Sequence, residues 1–230
     1  MIQKNKLVGI FYGLRFKSGI MPFTTLSVGI LFGYKEIGVL STSFVNIYFL
    51  VQLIYTFSVI LNSLCDSESN VDIAETSKDR VMFDYGLNRD DIFTYIYGAS
   101  VLIVLLFCKI FFHFSFWKQM LALYIVFHLL FVSVFYNMPP IRFKKRLFMP
   151  ELSIVLSYGL LSFTGYFFST SVVSLHAFIY GVPCFLLVVM SISSNLLMDV
   201  EDDKRGGSLS TPMVFGKKGS FYIYNTCFIL

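Results

Sequence analysis

LSIVLSYGLLSFTGYFFSTSVVSLHAFIYGVPCFLLVVMSISSNLLM, Leu152 to Met198, runs for 47 residues without an Asp, Glu, Lys or Arg, and DVEDDKR follows directly at Asp199 to Arg205. One bilayer crossing takes about 20 apolar residues, so the run predicts two membrane-spanning helices, with the break at Ser169 to Ser174. Asn195, Asp199 and Asp203 are spaced i, i+4, i+8 across the exit from the second of them. On a helix that continues out of the bilayer they form one row, drifting only about 40° per step.

The same spacing recurs upstream as Asn62, Asp66 and Asn70, at the end of 29 uncharged residues from Ile37 to Cys65. That run is long enough for a second span, and the 17 uncharged residues between Lys17 and Lys35 suffice for a short first one, with Pro22 suited to its first turn. Ile92 to Cys108 gives a third span, extended by Ile110 to Trp117, where Trp117 and Lys118 suit an interface. A fourth, Gln119 to Ile141, is stopped by Pro139 and Pro140. The 11 residues from Ser220 to Leu230 are too few to cross. The expected fold is therefore all-α, a multi-pass transmembrane helical bundle of six full spans plus a partial seventh. It forms a single domain over residues 1–230. The polar segment from Asp66 to Asp91 is long enough to be read as an ordered cap.

Composition agrees. The 230 residues are 56% hydrophobic and only 14% charged, with a mean hydropathy of +0.72, whereas a soluble domain carries about 25% charged residues. A net charge of +4 without a basic face interleaved with exposed aromatics excludes a nucleic-acid partner. Cys65, Cys108, Cys184 and Cys227 form no C-x-x-C pair and read as apolar thiols. His113, His128 and His176 have no partner at ligand spacing and read as packing or interface residues. Arg15 and Lys17 interrupt the first apolar stretch and no small-residue cleavage site follows, so no removable signal peptide is predicted. Of the 18 Lys and Arg, all but Lys35, Lys109 and Lys118 fall on one side of the predicted topology. The positive-inside rule makes that side cytoplasmic, with the N-terminus and both acidic rows on it.

Carboxylates and amides delivered from two helix ends suit a hard divalent cation such as Mg2+, which takes oxygen ligands, waters and substrate phosphates. Lys78, Arg80, Arg142, Lys145, Lys204 and Arg205 share that face and could neutralise a diphosphate. The apolar body beneath would house a lipid tail. Each element alone has a plainer reading: a solvated exit turn for either acidic row, and a topology signal for Arg142 to Arg146.

Taken together, these residues resemble the UbiA superfamily of intramembrane prenyltransferases. The second motif stands as Asn195, Asp199, Asp203, Lys204, Arg205 and Gly206, followed by Ser210-Thr211-Pro212 and Phe215-Gly216. The first stands as Asn62, Asp66 and either Asn70 or Asp72, with Arg80 after it. Tyr136 to Lys144, Y-x-x-P-P-x-R-x-K, is similar to the prenylquinone branch, menaquinone-type members above all. The resemblance implies Asp66, Asp72, Asp199 and Asp203 as metal-side carboxylates and catalytic residues, with Mg2+ as cofactor. It further implies Asn62, Asn70 and Asn195 as polar supports, Lys78, Arg80, Arg142, Lys145 and Lys204 as diphosphate ligands, and Tyr136 as the pocket floor. It also implies more spans than this chain holds, so the domain is expected to be incomplete at its C-terminus.

The expected activity is Mg2+-dependent transfer of a polyprenyl group from its diphosphate to an aromatic acceptor, a quinone precursor of naphthoate type. It would take place in an integral multi-pass membrane protein, in the plasma membrane if the source is bacterial. The alternatives are transfer to a chlorophyll-type, haem or glycerol-lipid acceptor, or a non-catalytic membrane protein. A carrier would instead place ionisable residues in mid-span.

Overall fold

The computed structural model describes residues 5–15, 18–38, 44–69, 71–73 and 81–229. Ten α-helices and no strand occur among them: α1 (Lys6–Gly13), α2 (Ile20–Ile37), α3 (Phe44–Glu68), α4 (Val81–Asp84), α5 (Arg89–Phe111), α6 (Phe116–Asn137), α7 (Met149–Thr170), α8 (His176–Met198), α9 (Val200–Arg205) and α10 (Thr211–Ile229). A single 3-10 turn, Phe143–Lys145, joins α6 to α7.

Five described helices, α3, α5, α6, α7 and α8, are long and apolar enough to cross a membrane. Against the expected count of six full spans and a fragment, the five leave out α2, at the N-terminal end of the bundle. The first predicted span is α2, whose 18 residues include Lys35 and Glu36 in the last two turns, leaving no length to spare. The predicted fragment is the second half of α10, which is interrupted at Gly216 (φ 67°, ψ 179°). The long uncharged run divides as expected, α7 ending at Thr170 and α8 starting at His176, with Ser171 in the left-handed region as the cap.

α7 is the most buried of the five spans, and α2 lies along it. Glycine makes this possible. A Cβ on Gly29 would stand 1.8 Å from the Ser162 carbonyl oxygen, and one on Gly165 would stand 2.2 Å from that of Leu26. The two backbones thus touch, as small residues allow where lipid leaves no hydrophobic drive between helices. Around the crossing Leu26, Ile30, Ile54, Ile125, Phe163 and Phe167 form the main core. α5 starts at a capping box in which Asn88 and Asp91 exchange side-chain and backbone bonds, and Lys6 of α1 reaches Asp91 at 2.7 Å.

Cys65, Cys108 and Cys184 are free, half-buried thiols, while the side chain of Cys227 lies outside the described set. His113 contacts the Lys109 carbonyl at 2.8 Å within its own chain segment.

The crossing generates a test. Gly29→Val forces backbone apart, for which overpacking typically costs about 1–3 kcal/mol or more. It is expected to lower the melting temperature in detergent markedly. Gly98→Ala, where an added Cβ meets nothing within 4 Å, is expected to leave it unchanged or raise it slightly.

Candidate active site

The last two turns of α3 carry Asn62 and Asp66 to one end of the bundle, and the chain then doubles back. The backbone N–H groups of Val71 and Asp72 donate to the Asp66 carbonyl at 3.0 and 3.2 Å, which swings Asp72 over the helix end. On the other side α8 stops at Met198 and α9 begins at Val200, with Asp199 (φ −101°, ψ 9°) as the joint. The single continuous helix expected here is therefore broken. The row nevertheless persists, because Asp199 N–H donates to the Asn195 carbonyl at 3.0 Å and Asp203 N–H to the Asp199 carbonyl at 2.8 Å.

Three surface segments are knitted together over this end. Gly206 lies so near Val71 that a Cβ would stand 2.3 Å from its Cγ2, which brings the loop after the second acidic row onto the loop after the first. The Lys145 ammonium hydrogen-bonds the Gly206 carbonyl, and Leu209 N–H donates to the Lys145 carbonyl at 3.3 Å. Arg142, at φ 47°, sets the turn between them.

Beneath lies a cavity of about 870 Å³. Asn62, Asp66, Asp72, Tyr136, Asn195, Asp199 and Asp203 all line it, so these predicted residues are brought together. Arg142 and Lys145 stand behind the wall. Arg142 Nε is buried with no hydrogen-bond partner among the described residues. Burial, then the neighbouring Arg142 and Lys144 charges, hold the Lys145 ammonium below the usual lysine range. Lys204 points away and pairs with Glu201 at 3.0 Å. Asn70, Lys78 and Arg80 lie outside the described residues.

Of the basic turn, the cation that does enter is Lys144, which the residue-by-residue reading passed over for its neighbour. Its ammonium bonds Asp66 Oδ1 and stands 3.3 Å from Asn62 Oδ1, while Asn62 Nδ2 donates to Asp66 Oδ2 at 2.8 Å. Arg15, Ser18, Tyr55, Tyr158 and Asp202 also line the cavity unforeseen. Helical period could have found Tyr55, because Tyr55, Val59, Asn62 and Asp66 step along one face of α3. No sequence signal marks Arg15 or Ser18.

The oxygens offered suit a divalent cation. Asp203 lines the cavity, and its Oδ2 is buried with no hydrogen-bond partner among the described residues. Burial lifts this carboxyl from its ordinary value to about 6, Asp199 and Asp66 add to the rise, and Lys144 and Ser210 oppose it. A divalent ion would reverse that balance. Among the described residues no three Asp, Glu, His or Cys converge closely enough to enclose an ion alone. Mg2+ fits such a set, since it keeps waters and takes phosphate oxygens as its remaining ligands.

Residues 21–230 match the UbiA prenyltransferase family. The chain belongs to that family. UbiA prenyltransferase domain-containing protein 1 of Dictyostelium discoideum is 26% identical over 229 residues, covering 96% of this chain and 68% of the relative. A UbiA homologue from Archaeoglobus fulgidus, solved with GPP and Mg2+, superposes with a TM-score of 0.70 at 19% identity over 95% of this chain and 73% of its own. The same homologue with DMAPP and Mg2+ gives 0.67 at 18% identity, over 92% and 71%. An apo homologue from Aeropyrum pernix K1 gives 0.66 at 14% identity, over 92% and 74%. At these identities the likeness is one of fold: an all-helical UbiA-like bundle.

The Asp66–Lys144 pair makes a stability prediction. Both side chains are about nine-tenths buried, at 10% and 11% exposure. Removing one partner of a buried pair costs about 3–5 kcal/mol by stranding the other charge. Asp66→Ala is therefore expected to melt well below wild type, and Asp66→Ala combined with Lys144→Met to recover much of the loss, as a double-mutant cycle of unfolding in detergent would show.

Proposed function

We propose that this protein transfers a prenyl group from an allylic prenyl diphosphate to an aromatic acceptor, a quinone precursor with a naphthoate-type ring, in a Mg2+-dependent reaction. The observation that carries the proposal is the convergence of Asp66, Asp72, Asp199 and Asp203 at the mouth of one apolar-walled cavity. Membership of the family and the GPP, DMAPP and Mg2+ in the archaeal homologues' structures support it.

In this reading Asp66, Asp72, Asp199 and Asp203 hold Mg2+, and Asn62 orients Asp66 through the bond at 2.8 Å. Bound there, Mg2+ would supply positive charge to the departing diphosphate. Lys144 adds a second positive charge, and Arg142 and Lys145 support it from behind. The C–O bond of the donor breaks with its electron pair going to the diphosphate. A ring carbon of the acceptor then attacks the allylic cation, and loss of the ring proton restores aromaticity. Tyr55, Tyr136 and Tyr158 line the chamber where ring and cation would meet, and their π faces suit both. Leu129, Ile154, Leu161, Val188 and Ile192 form walls fit for the prenyl chain. The lysines and arginines on the same end as the acidic rows support, by the positive-inside rule, a cytoplasmic orientation for that end of an integral membrane protein.

Membranes containing the protein are expected to transfer label from radiolabelled geranyl diphosphate to a dihydroxynaphthoate only with Mg2+. Asp199→Ala, at unchanged expression, should lower the rate by about 10²-fold or more, the scale of removing one charge-stabilising group. Lys204→Ala should change it less than about twofold, as for an exposed surface pair. Full activity of Asp199→Ala removes the site assignment.

A further inference from the structure

Lys144 stands where an ion would. Its ammonium bonds Asp66 Oδ1 and approaches Asn62 Oδ1 at 3.3 Å, so it uses the oxygens of the first acidic row that face the cavity. The remaining oxygen, Asp66 Oδ2, is taken by Asn62 Nδ2. The lysine's backbone is anchored, because the next residue, Lys145, is tied to Gly206 through its side chain and to Leu209 through its carbonyl. Its four-carbon stem carries rotatable bonds that this backbone anchor does not itself fix. The cavity beyond it holds the second acidic row, Asp199 and Asp203, and carries Arg15 on its wall as well.

We infer that Lys144 is a tethered placeholder cation, which occupies Asp66 in the free protein and yields it when a divalent ion arrives with the diphosphate, turning its ammonium onto the diphosphate oxygens. The inference rests on the Mg2+–diphosphate reading above. A divalent ion arriving alone must displace a buried ammonium that then has no anion to meet. An ion arriving with a diphosphate brings that anion with it. Metal and donor should therefore bind cooperatively, each raising the affinity of the other by the same factor. Asp66 keeps a cationic partner at every stage, first Lys144 and then the metal, which is how a buried carboxylate avoids standing unpaired.

The test uses Mn2+ as a spectroscopic stand-in for Mg2+, with binding to the purified full chain followed by electron paramagnetic resonance, with and without geranyl diphosphate and with no acceptor. Wild type is expected to bind Mn2+ weakly alone and about tenfold or more tightly with the donor, the scale of one charge-assisted hydrogen bond exchanged. Lys144→Met is expected to bind Mn2+ alone about tenfold more tightly than wild type and to lose most of the donor's effect. Lys144→Gln serves where the Met variant does not fold, and Lys144→Arg should behave like wild type. The melting temperature of Lys144→Met should also rise more with Mn2+ than that of wild type. Equal Mn2+ affinity of wild type and the neutral variants overturns the placeholder role while leaving the metal site standing. If wild type binds no Mn2+ even with the donor, the reading under Proposed function falls, and this inference with it.

Discussion

The backbone contact between α2 and α7 fixes the geometry of everything else. Gly29 and Gly165 bring the two helices closer than any side chain would allow, so α2 is held although it is short and ends in Lys35 and Glu36. Lipid supplies no hydrophobic drive for helix association, and close van der Waals packing does that work instead. The consequence reaches the site. Met21 and Pro22 from the start of α2 and Ile154, Tyr158 and Leu161 from α7 stand on the cavity wall, so the depth of this crossing sets how far apart those walls lie.

Charge has little choice of place in such a bundle. An ionisable group within the hydrocarbon is costly unless paired, which drives carboxylates and ammonium groups to helix ends. Here two helix ends, those of α3 and α8, open onto one cavity. The carboxylates they deliver share a partly dry space, and the Asp203 carboxyl titrates above its ordinary value mainly because it is buried, with repulsion from Asp199 and Asp66 adding to the rise. Lys144 relieves part of that repulsion. A doubly charged ion, as proposed for this site, would offset the same crowding of carboxylates.

The helices were readable because length and apolarity decide a membrane span almost alone, and both acidic rows were readable because the i, i+4 spacing survives even the break at Asp199. What could not be read depends on local backbone geometry. Lys144 and Lys145 are neighbours in an identical composition, and only the left-handed Arg142 and the 3-10 turn determine which ammonium meets Asp66 and which meets Gly206. Lys204 belonged to the motif by sequence, yet α9 is a separate short helix, so its outer face carries that side chain to Glu201. Arg15 reaches the cavity from a segment with no periodic pattern, through a residue at φ 46° that no propensity would assign to it.

The loops that join the two acidic rows show how the site is kept as one unit. Gly206 accommodates Val71, and its carbonyl accepts from Lys145, so a single residue without a side chain links the first row, the second row and the basic turn. Each of these segments alone would be a solvated exit from the bilayer. Joined at Gly206 they cannot shift independently, and a movement of the basic turn must be felt at both rows. The turn can therefore stay fixed while one lysine on it changes partner, as the placeholder role proposed for Lys144 requires.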